Sequence, residues 1–282
     1  MQVNINLSPL FTEQLIYLSA KRSALDEGIC NIDTLVLGSS HGDFSFDPRY
    51  HIGSFNLCTR SQDLKHSYYL LKALLFRKRL KNVVLYYSLF SPGSNCELMN
   101  PESEVLPILN ELFKLELKYE SEKLNSISNI LLGKLDKLAP PIKGYSGFYP
   151  DYIKDLEERY LNQQAKLEYV KKRAIGAFKL SMKTTSIDYL ELIINLIKQY
   201  SVNLCIVIAP ARTDYRAVNN LSSDILFKPL LVTLSKNNYP ISIVNAWDSV
   251  LMKDEYFRDC DHLCPNGYGT KLITRLISAK MV

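Results

Sequence analysis

The segment Ile32–Phe46, with the sequence IDTLVLGSSHGDFSF, decides the fold. Residues 35–37 form the short apolar run Leu-Val-Leu, which is typical of a buried strand. The small residues GSSHG at 38–42 follow at once and predict a tight turn at the carboxyl end of that strand. In open α/β sheets this is the edge where ligands bind and chemistry takes place.

A serine in such a turn would stand exposed beside backbone N–H groups. It can act as a nucleophile only if a general base lies elsewhere in the chain, because a lone serine hydroxyl is a weak nucleophile. The alternative is an ordinary strand-to-helix turn that is capped by small polar residues. The segment alone leaves both interpretations open.

Outward from this segment, short apolar strands alternate with amphipathic helices. The strands are predicted at 33–37, 54–57, 83–87, 203–209 and 241–245, and the helices at 8–27, 63–78, 102–138, 153–182, 186–200, 222–237 and 265–279. This alternation predicts an α/β protein with three layers, α/β/α, around a mostly parallel central sheet that is buried on both faces. We expect a single domain over residues 1–282, with a helical insertion at about 95–182.

Two parts of the insertion have a functional and a plain interpretation. The segment 143–152, KGYSGFYPDY, could cover a substrate as a lid, or it could be a surface loop held by its tyrosines. The helix predicted at 153–182 is highly charged and carries Lys171, Lys172 and Arg173. Charge of this kind is typical of a solvated helix face.

The net charge of the chain indicates which classes of binding partner are expected. The chain has 34 basic and 29 acidic residues among 282, so its net charge is +5, and it shows no basic stripe. Nucleic acid is therefore not an expected partner, whereas acidic substrates or anionic surfaces are compatible with the mild positive charge. The N-terminus lacks the basic start and apolar core of a signal peptide, and no apolar run approaches a membrane span.

The cysteines raise the question of a metal site. The six are Cys30, Cys58, Cys96, Cys205, Cys260 and Cys264. Without a secretory signal we expect reduced thiols in a cytoplasmic protein. Cys260 and Cys264 flank an Asp-His pair, but no second Cys or His pair supplies the remaining zinc ligands, so no metal is expected.

A base for the serine is available near the C-terminus. His262 lies in the segment 257–276, FRDCDHLCPNGYGTKLITRL, three residues after Asp259. A loop of this kind can place the Asp259 carboxylate on one imidazole nitrogen, while the other nitrogen takes the proton of a serine hydroxyl. The alternative is a polar turn before a capped helix.

Taken together, the two ends of the chain resemble the SGNH (GDSL-like) hydrolase superfamily. The resemblance rests on strand-Gly-x-Ser near the N-terminus and Asp-x-x-His-Leu-x-x-x-Gly near the C-terminus. The Gly-Ser-Ser-His and Asp-x-Asp-His-Leu forms look most like the bacterial branch linked to polysaccharide and cell-envelope acylation. The resemblance implies that Ser40 is the nucleophile, His262 the base and Asp259 the residue that orients it.

The middle motifs depart from the family pattern. The glycine whose N–H enters the family's oxyanion hole is replaced by Cys58, and the asparagine of its third motif by Phe90. Loss of one oxyanion donor costs about two to three orders of magnitude in rate. The resemblance therefore leaves Cys58 as a backbone donor, with Ser88, Ser91 or Asn95 as replacements for the asparagine.

Three further residues could contact a substrate. His41 follows Ser40 directly, Arg212 follows the strand predicted at 203–209, and Arg60 lies after the strand at 54–57. An arginine at this edge could bind an acidic sugar or the phosphate of an acyl donor. A polar residue at a helix start, for His41, and surface salt bridges, for the arginines, are the alternatives.

The resemblance implies serine-dependent acyl-ester chemistry on a carbohydrate, such as a bacterial surface polysaccharide. Water as the acceptor would make the protein an esterase, and a sugar hydroxyl would make it an O-acetyltransferase. No bound cofactor is required, and acetyl-CoA could serve as acyl donor in the cytoplasm, including at the inner face of the membrane. The alternative is a catalytically degraded binding or scaffold protein in a polysaccharide pathway, for which Phe90 is the main support.

Overall fold

A sheet of five parallel strands forms the centre of the fold. The computed structural model describes residues 8–27, 32–75, 80–132, 135, 145–148 and 167–281. The strands are β1 (Thr34–Leu37), β2 (Ser54–Asn56), β3 (Asn82–Tyr87), β4 (Asn203–Ile208) and β5 (Ile241–Asn245), in the order β2-β1-β3-β4-β5. Helices cover both faces of the sheet, so the predicted three-layer α/β/α architecture is confirmed.

Eleven α-helices are formed by the described residues. They are α1 (Pro9–Glu27), α2 (Ser40–Ser45), α3 (Leu64–Leu75), α4 (Leu106–Phe113), α5 (Glu122–Leu131), α6 (Leu167–Ser181), α7 (Ile187–Gln199), α8 (Thr213–Ala217), α9 (Ser223–Leu226), α10 (Lys228–Ser235) and α11 (Tyr268–Lys280). Within the described ranges, none of the helices is both long and apolar enough to cross a membrane.

Successive strand residues pack into two different cores. In β3, Leu85 and Tyr87 belong to a larger core that includes residues of α1, α3 and α7. Val84 and Tyr86 face the opposite core, where α11 contributes Ile273. Burial on both faces explains why the central strands read as nearly continuous apolar runs instead of alternating patterns.

The strand order places a crevice at the carboxyl ends of β1 and β3. The chain passes from β1 to β2 on one side of β1 and then returns to β3 on the other side. Connections that leave two neighbouring strands in opposite directions open a crevice between them, and such crevices commonly bind ligands. Leu37 pairs with Leu85, so the turn at 38–42 lies beside the segment that follows β3.

The helix predicted at 102–138 is interrupted in the structure. A 3₁₀ turn at Glu102–Val105 precedes α4, and α4 ends at Lys114, whose φ of 52° is left-handed. The Asn110 side chain accepts a hydrogen bond from the Leu117 N–H at 2.8 Å, which stabilises this break. The sequence pattern missed the break because the apolar residues continue through it.

Other helix boundaries also differ. The helix predicted at 222–237 is divided into α9 and α10, because Pro229 lies in the first turn of the second helix and cannot donate the hydrogen bond of a continuous one. Of the helix predicted at 153–182, the part from 167 onward is α6, and 153–166 lie outside the described residues. The candidate lid at 143–152 is described only at 145–148, which pairs with β2 through the Ser146 carbonyl and does not line the cavity described below.

Candidate active site

Ser40 is placed by a turn that requires glycine. Gly38 has a φ of +140°, and a Cβ there would lie 2.8 Å from the Cβ of Tyr86. Ser39 then caps α2, because its side chain accepts a hydrogen bond from the His41 N–H at 3.4 Å. The turn leaves Ser40 partly exposed at the first position of the helix.

A buried ion pair anchors the helix that carries Ser40. Asp43 Oδ1 accepts hydrogen bonds from Lys21 Nζ at 2.8 Å and from the Tyr17 hydroxyl at 2.5 Å. Lys21 also donates to the Cys58 carbonyl at 2.5 Å, and its pKa is lowered by burial despite the attraction of Asp43. Removal of one partner would leave the other charge buried and unpaired, so the pair fixes α2 against α1.

Ser40, His262 and Asp259 lie in hydrogen-bond series. Ser40 Oγ is 2.8 Å from His262 Nε2, and His262 Nδ1 is 2.9 Å from Asp259 Oδ2. This network favours the tautomer in which Nδ1–H donates to the carboxylate and Nε2 accepts from the serine hydroxyl. The three residues that the sequence nominated are therefore brought together, in the order that a nucleophile, a base and an orienting carboxylate would need. We call them the open series.

Asp259 also organises the loop that carries the base. Its Oδ1 accepts hydrogen bonds from the N–H groups of Asp261 at 3.0 Å and His262 at 2.8 Å. A bridge between Phe257 and Leu263 closes the loop. Burial alone would raise the pKa of Asp259, but the neighbouring His262 outweighs it and lowers that pKa. The carboxylate is thus ionised at neutral pH and can stabilise an imidazolium.

A second set of the same residue types lies next to the first. His41 Nδ1 is 2.5 Å from Ser88 Oγ, and His41 Nε2 is 3.2 Å from Asp261 Oδ2. The second contact has an ion-pair distance without the alignment of a hydrogen bond. All three residues are buried, and Ser88 Oγ also lies 3.3 Å from Ser39 Oγ. We call Ser88, His41 and Asp261 the buried series.

Arg173 connects α6 to both series. Its Nε donates to Asp261 Oδ2 at 2.8 Å, while Asp261 Oδ1 lies 3.3 Å from His262 Nδ1. Burial alone would raise the pKa of Asp261, but the charges of His262 and Arg173 hold it well below its usual value. The sequence placed Arg173 on a solvated face, and the structure corrects this. The sequence carries no signal for a contact between residues 88 positions apart.

A cavity of about 580 Å³ opens beside Ser40. One wall is the face of α6, and the opposite side is formed by the segment after β3 and by residues near 100. Its lining includes Ser40, Phe90, Met99, Tyr169, Gly176 and Tyr215. The open series thus has a space for a substrate directly at its nucleophile.

The oxyanion donors expected from the sequence are engaged within the protein. The N–H of Cys58 donates to Asn56 Oδ1 at 3.0 Å, and the Cys58 side chain is fully buried. The N–H of Ser88 donates to Ser91 Oγ at 2.9 Å, and the N–H of Ser91 donates to the Ser88 carbonyl at 2.9 Å. Their N–H groups are thus engaged and none of the three residues lines the cavity, so the structure does not support the expectation that Cys58, Ser88 or Ser91 presents a donor to the site.

Asn95 does not line the cavity either, and its side-chain oxygen accepts a hydrogen bond from the Glu97 N–H at 3.0 Å. Phe90 lines the cavity and stacks at 5.4 Å from the His41 ring. The Ser40 N–H is better placed, since it is in the first turn of α2, where N–H groups have no acceptor inside the helix. The strand-turn-helix pattern could have identified it.

The residues nominated for substrate contact do not reach the cavity. Arg212 forms a bidentate pair with Asp214, at 2.8 and 2.6 Å. Arg60 faces Glu13 at 3.7 Å, and His41 is buried in the second series. None of the three lines the cavity within the described residues, so the structural alternatives fit them better.

Potential metal ligands cluster here in two groups that share Asp261, whose carboxylate already pairs with Arg173. The side-chain donor atoms of His41, Asp261 and His262 lie within 4.8 Å of one another, as do those of Asp259, Cys260 and Asp261. A cation bound to Asp261 would have to displace the Arg173 guanidinium. Cys264 belongs to neither group. The arrangement suits proton transfer and nucleophilic attack better than metal binding.

Comparison with known proteins gives no assignment. No protein-family model matches the chain, and no curated protein matches it significantly.

Proposed function

We propose that the protein is a serine-dependent enzyme of the SGNH type that acts on acyl esters of a carbohydrate. The observation that carries the proposal is the 2.8 Å contact between Ser40 Oγ and His262 Nε2 at the wall of an open cavity. The resemblance at both ends of the chain supports the carbohydrate, with a bacterial surface polysaccharide or glycan as the substrate class.

The reaction proceeds through an acyl-enzyme. His262 removes the proton of Ser40 as Oγ attacks the ester carbonyl, and Asp259 stabilises the resulting imidazolium. The tetrahedral intermediate collapses, its C–O bond to the alcohol breaks, and His262 returns the proton to the departing alcohol. Water or a sugar hydroxyl, deprotonated by His262, then attacks the acyl group and releases Ser40. The Ser40 N–H is the donor placed to stabilise the oxyanion.

The chemistry requires no bound cofactor. In an O-acetyltransferase the acyl group would come from a donor such as acetyl-CoA, whose thioester carbonyl Ser40 would attack in the same way. A donor of this kind places the reaction on the cytoplasmic side, in solution or at the inner face of the membrane. An esterase uses water as the acceptor instead.

Replacement of the two turn serines tests the proposal. Hydrolysis of 4-nitrophenyl acetate and of O-acetylated sugars would be measured for the parent protein, Ser40→Ala and the control Ser39→Ala. Ser40→Ala is expected to lose about 10³-fold or more in kcat, because the nucleophile is gone. Ser39→Ala should lose far less, since it removes a helix cap and a contact with Ser88 but leaves the nucleophile in place. Full activity in Ser40→Ala would refute the proposal.

The competing function is a glycan-binding protein without catalysis. Phe90 favours it, because it stands where the family's asparagine donor is expected and its ring lines the cavity. This alternative predicts glycan binding by the parent protein with no turnover of any ester, either in water or with acetyl-CoA and a glycan acceptor. Acetyl transfer to the glycan in the second assay would favour the transferase over the esterase.

A further inference from the structure

Gly176 lies in the interior of α6, and no contact among the described residues requires a glycine there. Its φ is not positive, and a Cβ built on it would meet no atom of the described residues within 4 Å. Glycine is nevertheless the poorest helix former apart from proline. Neither backbone conformation nor internal packing therefore requires glycine at this position.

Gly93 shows the contrasting case. It lies in the segment after β3 and packs against α6. A Cβ on Gly93 would lie 2.2 Å from the Leu180 carbonyl of α6, so close packing demands glycine there. Gly176 lies one turn before Leu180 on the same helix, but it faces the cavity that contains Ser40. The side chain that Gly176 lacks would project into this cavity.

The cavity is far larger than the acetyl group that Ser40 would carry. Its volume of about 580 Å³ falls within the range of sites that enclose whole small molecules. Two carbons and one oxygen would fill only a small part of it. The remaining space must hold another part of the substrate, on either the acyl side or the alcohol side of the ester.

The chemistry of the lining favours the alcohol side. Ser61, Asn100, Glu102 and Lys172 bring hydroxyl, amide, carboxylate and ammonium groups to the wall, and Tyr169 adds an aromatic ring. A polyhydroxylated ring can hydrogen-bond such groups and place its C–H face on an aromatic side chain. A long acyl chain offers no hydrogen bonds to these polar groups, whereas the hydroxyl groups of a sugar do.

We propose that the α6 wall binds a glycosyl group of the ester substrate and that Gly176 sets the size of the group admitted. This proposal rests on the proposed acyl-ester function. The glycine keeps open the space that a sugar ring occupies against the helix backbone. The inserted helix thereby selects the substrate as well as contacting the catalytic loop through Arg173.

A series of substitutions at Gly176 tests the size selection. Gly176→Ala, Gly176→Leu and Gly176→Phe would be assayed with ethyl acetate, with a panel of O-acetylated disaccharides and with ethyl octanoate. Gly176→Phe is expected to lower kcat/KM for the disaccharide esters about 10- to 100-fold, mainly through KM, with ethyl acetate changed less than about twofold. Gly176→Leu should lie between Gly176→Ala and Gly176→Phe.

Ile175→Phe is the matched control. Ile175 is the preceding residue on α6, is exposed and does not line the cavity, so the same new ring there should leave all three substrates unchanged. Thermal unfolding would verify that every variant is folded, and Gly176→Ala should unfold at a higher temperature because alanine favours helix.

The outcomes separate the two proposals. Equal losses on ethyl acetate and the disaccharide esters would overturn the size selection, as would a selective loss on ethyl octanoate, which would assign the cavity to the acyl chain. A parent protein that hydrolyses ethyl acetate but none of the disaccharide esters would also contradict it. A parent protein that is inactive on every ester would refute the proposed function itself.

Discussion

The open and buried series have the same three residue types and lie side by side, yet only the open series places its serine at the cavity. The rings of His41 and His262 are 4.8 Å apart, and each faces a serine and an aspartate. Ser40 lines the cavity, whereas Ser88 is 1% exposed. Access to a substrate, and not the presence of serine, histidine and aspartate, therefore distinguishes a candidate catalytic group from a structural network.

The position of each serine after its strand explains the difference. Ser40 begins α2 just after β1 ends, and it lines the cavity. Ser88 directly follows β3, and its hydroxyl contacts both His41 and Ser39. The buried series thus connects the turn after β1 to the turn after β3. Its Asp261 belongs to the loop that carries His262, and Arg173 links that residue to α6.

The two aspartates are expected to show the largest contrast. Asp259→Asn should reduce kcat/KM about 10³-fold or more, because an amide cannot stabilise the imidazolium or hold the same tautomer. Asp261→Asn should cost no more than about tenfold, or ~1.4 kcal/mol, because Asp259 still orients His262. Steady-state kinetics on an O-acetylated sugar measures both. Equal losses of kcat/KM in the two variants would contradict the assignment of Asp259 to catalysis and Asp261 to the buried network.

Arg173 should show an intermediate effect that is visible in the pH profile. Arg173→Met leaves the buried Asp261 carboxylate uncompensated beside His262, which favours the protonated base. The acidic limb of the kcat/KM profile should therefore move to higher pH by roughly one unit. Arg173→Lys keeps the charge and should move it less.

Lys171→Met provides the charge-matched control, because Lys171 is exposed on the same helix and does not line the cavity. It removes one positive charge without touching Asp261. An unshifted limb in Arg173→Met, or an equal shift in Lys171→Met, would show that the Arg173–Asp261 contact does not tune the base.

The smallest of the expected effects concerns His41, which should change the pH dependence of the free energy of unfolding more than it changes catalysis. Burial lowers the pKa of His41 from its ordinary 6.5, although Asp261 opposes the shift and His262 and Arg173 reinforce it. The unfolded chain therefore binds a proton at a higher pH than the folded one. The free energy of unfolding should fall as the pH drops below about 6.5, and the loss should end once the pH passes the folded pKa.

Urea unfolding at pH 7, 6 and 5 tests this sign. His51, whose pKa is also lowered by burial, contributes in the same direction and stays in place in both proteins. His41→Gln should therefore show a shallower decline than the parent chain between pH 7 and 5. A decline of the same slope would mean that His41 is protonated as readily in the folded protein as in the unfolded one.

The fold and the core of the site could be predicted because their signals are local. Strands β1, β3 and β4 are short, largely apolar runs, Ser40 directly follows the turn after β1, and Asp259 and His262 lie in the loop before the last helix. Parallel topology then brings the strand ends to one edge of the sheet.

What could not be predicted depends on contacts between distant segments. The Arg173–Asp261 pair forms because α6 packs against the loop that carries His262. The sequence alone does not show this packing, so the charged residues of α6 indicate a solvent-exposed helix face. The oxyanion donors were misplaced because motif positions do not report which N–H groups already have acceptors, as Cys58 has in Asn56.

Covalent labelling tests the central claim most directly. The parent protein would be treated with a small fluorophosphonate probe at neutral pH, digested and mapped by mass spectrometry. Because Ser40 Oγ lies 2.8 Å from His262 Nε2 and lines the cavity while Ser88 is buried, we expect the adduct on Ser40 alone and its loss in His262→Ala. An adduct on another serine, or labelling of Ser40 that persists in His262→Ala, would contradict the account.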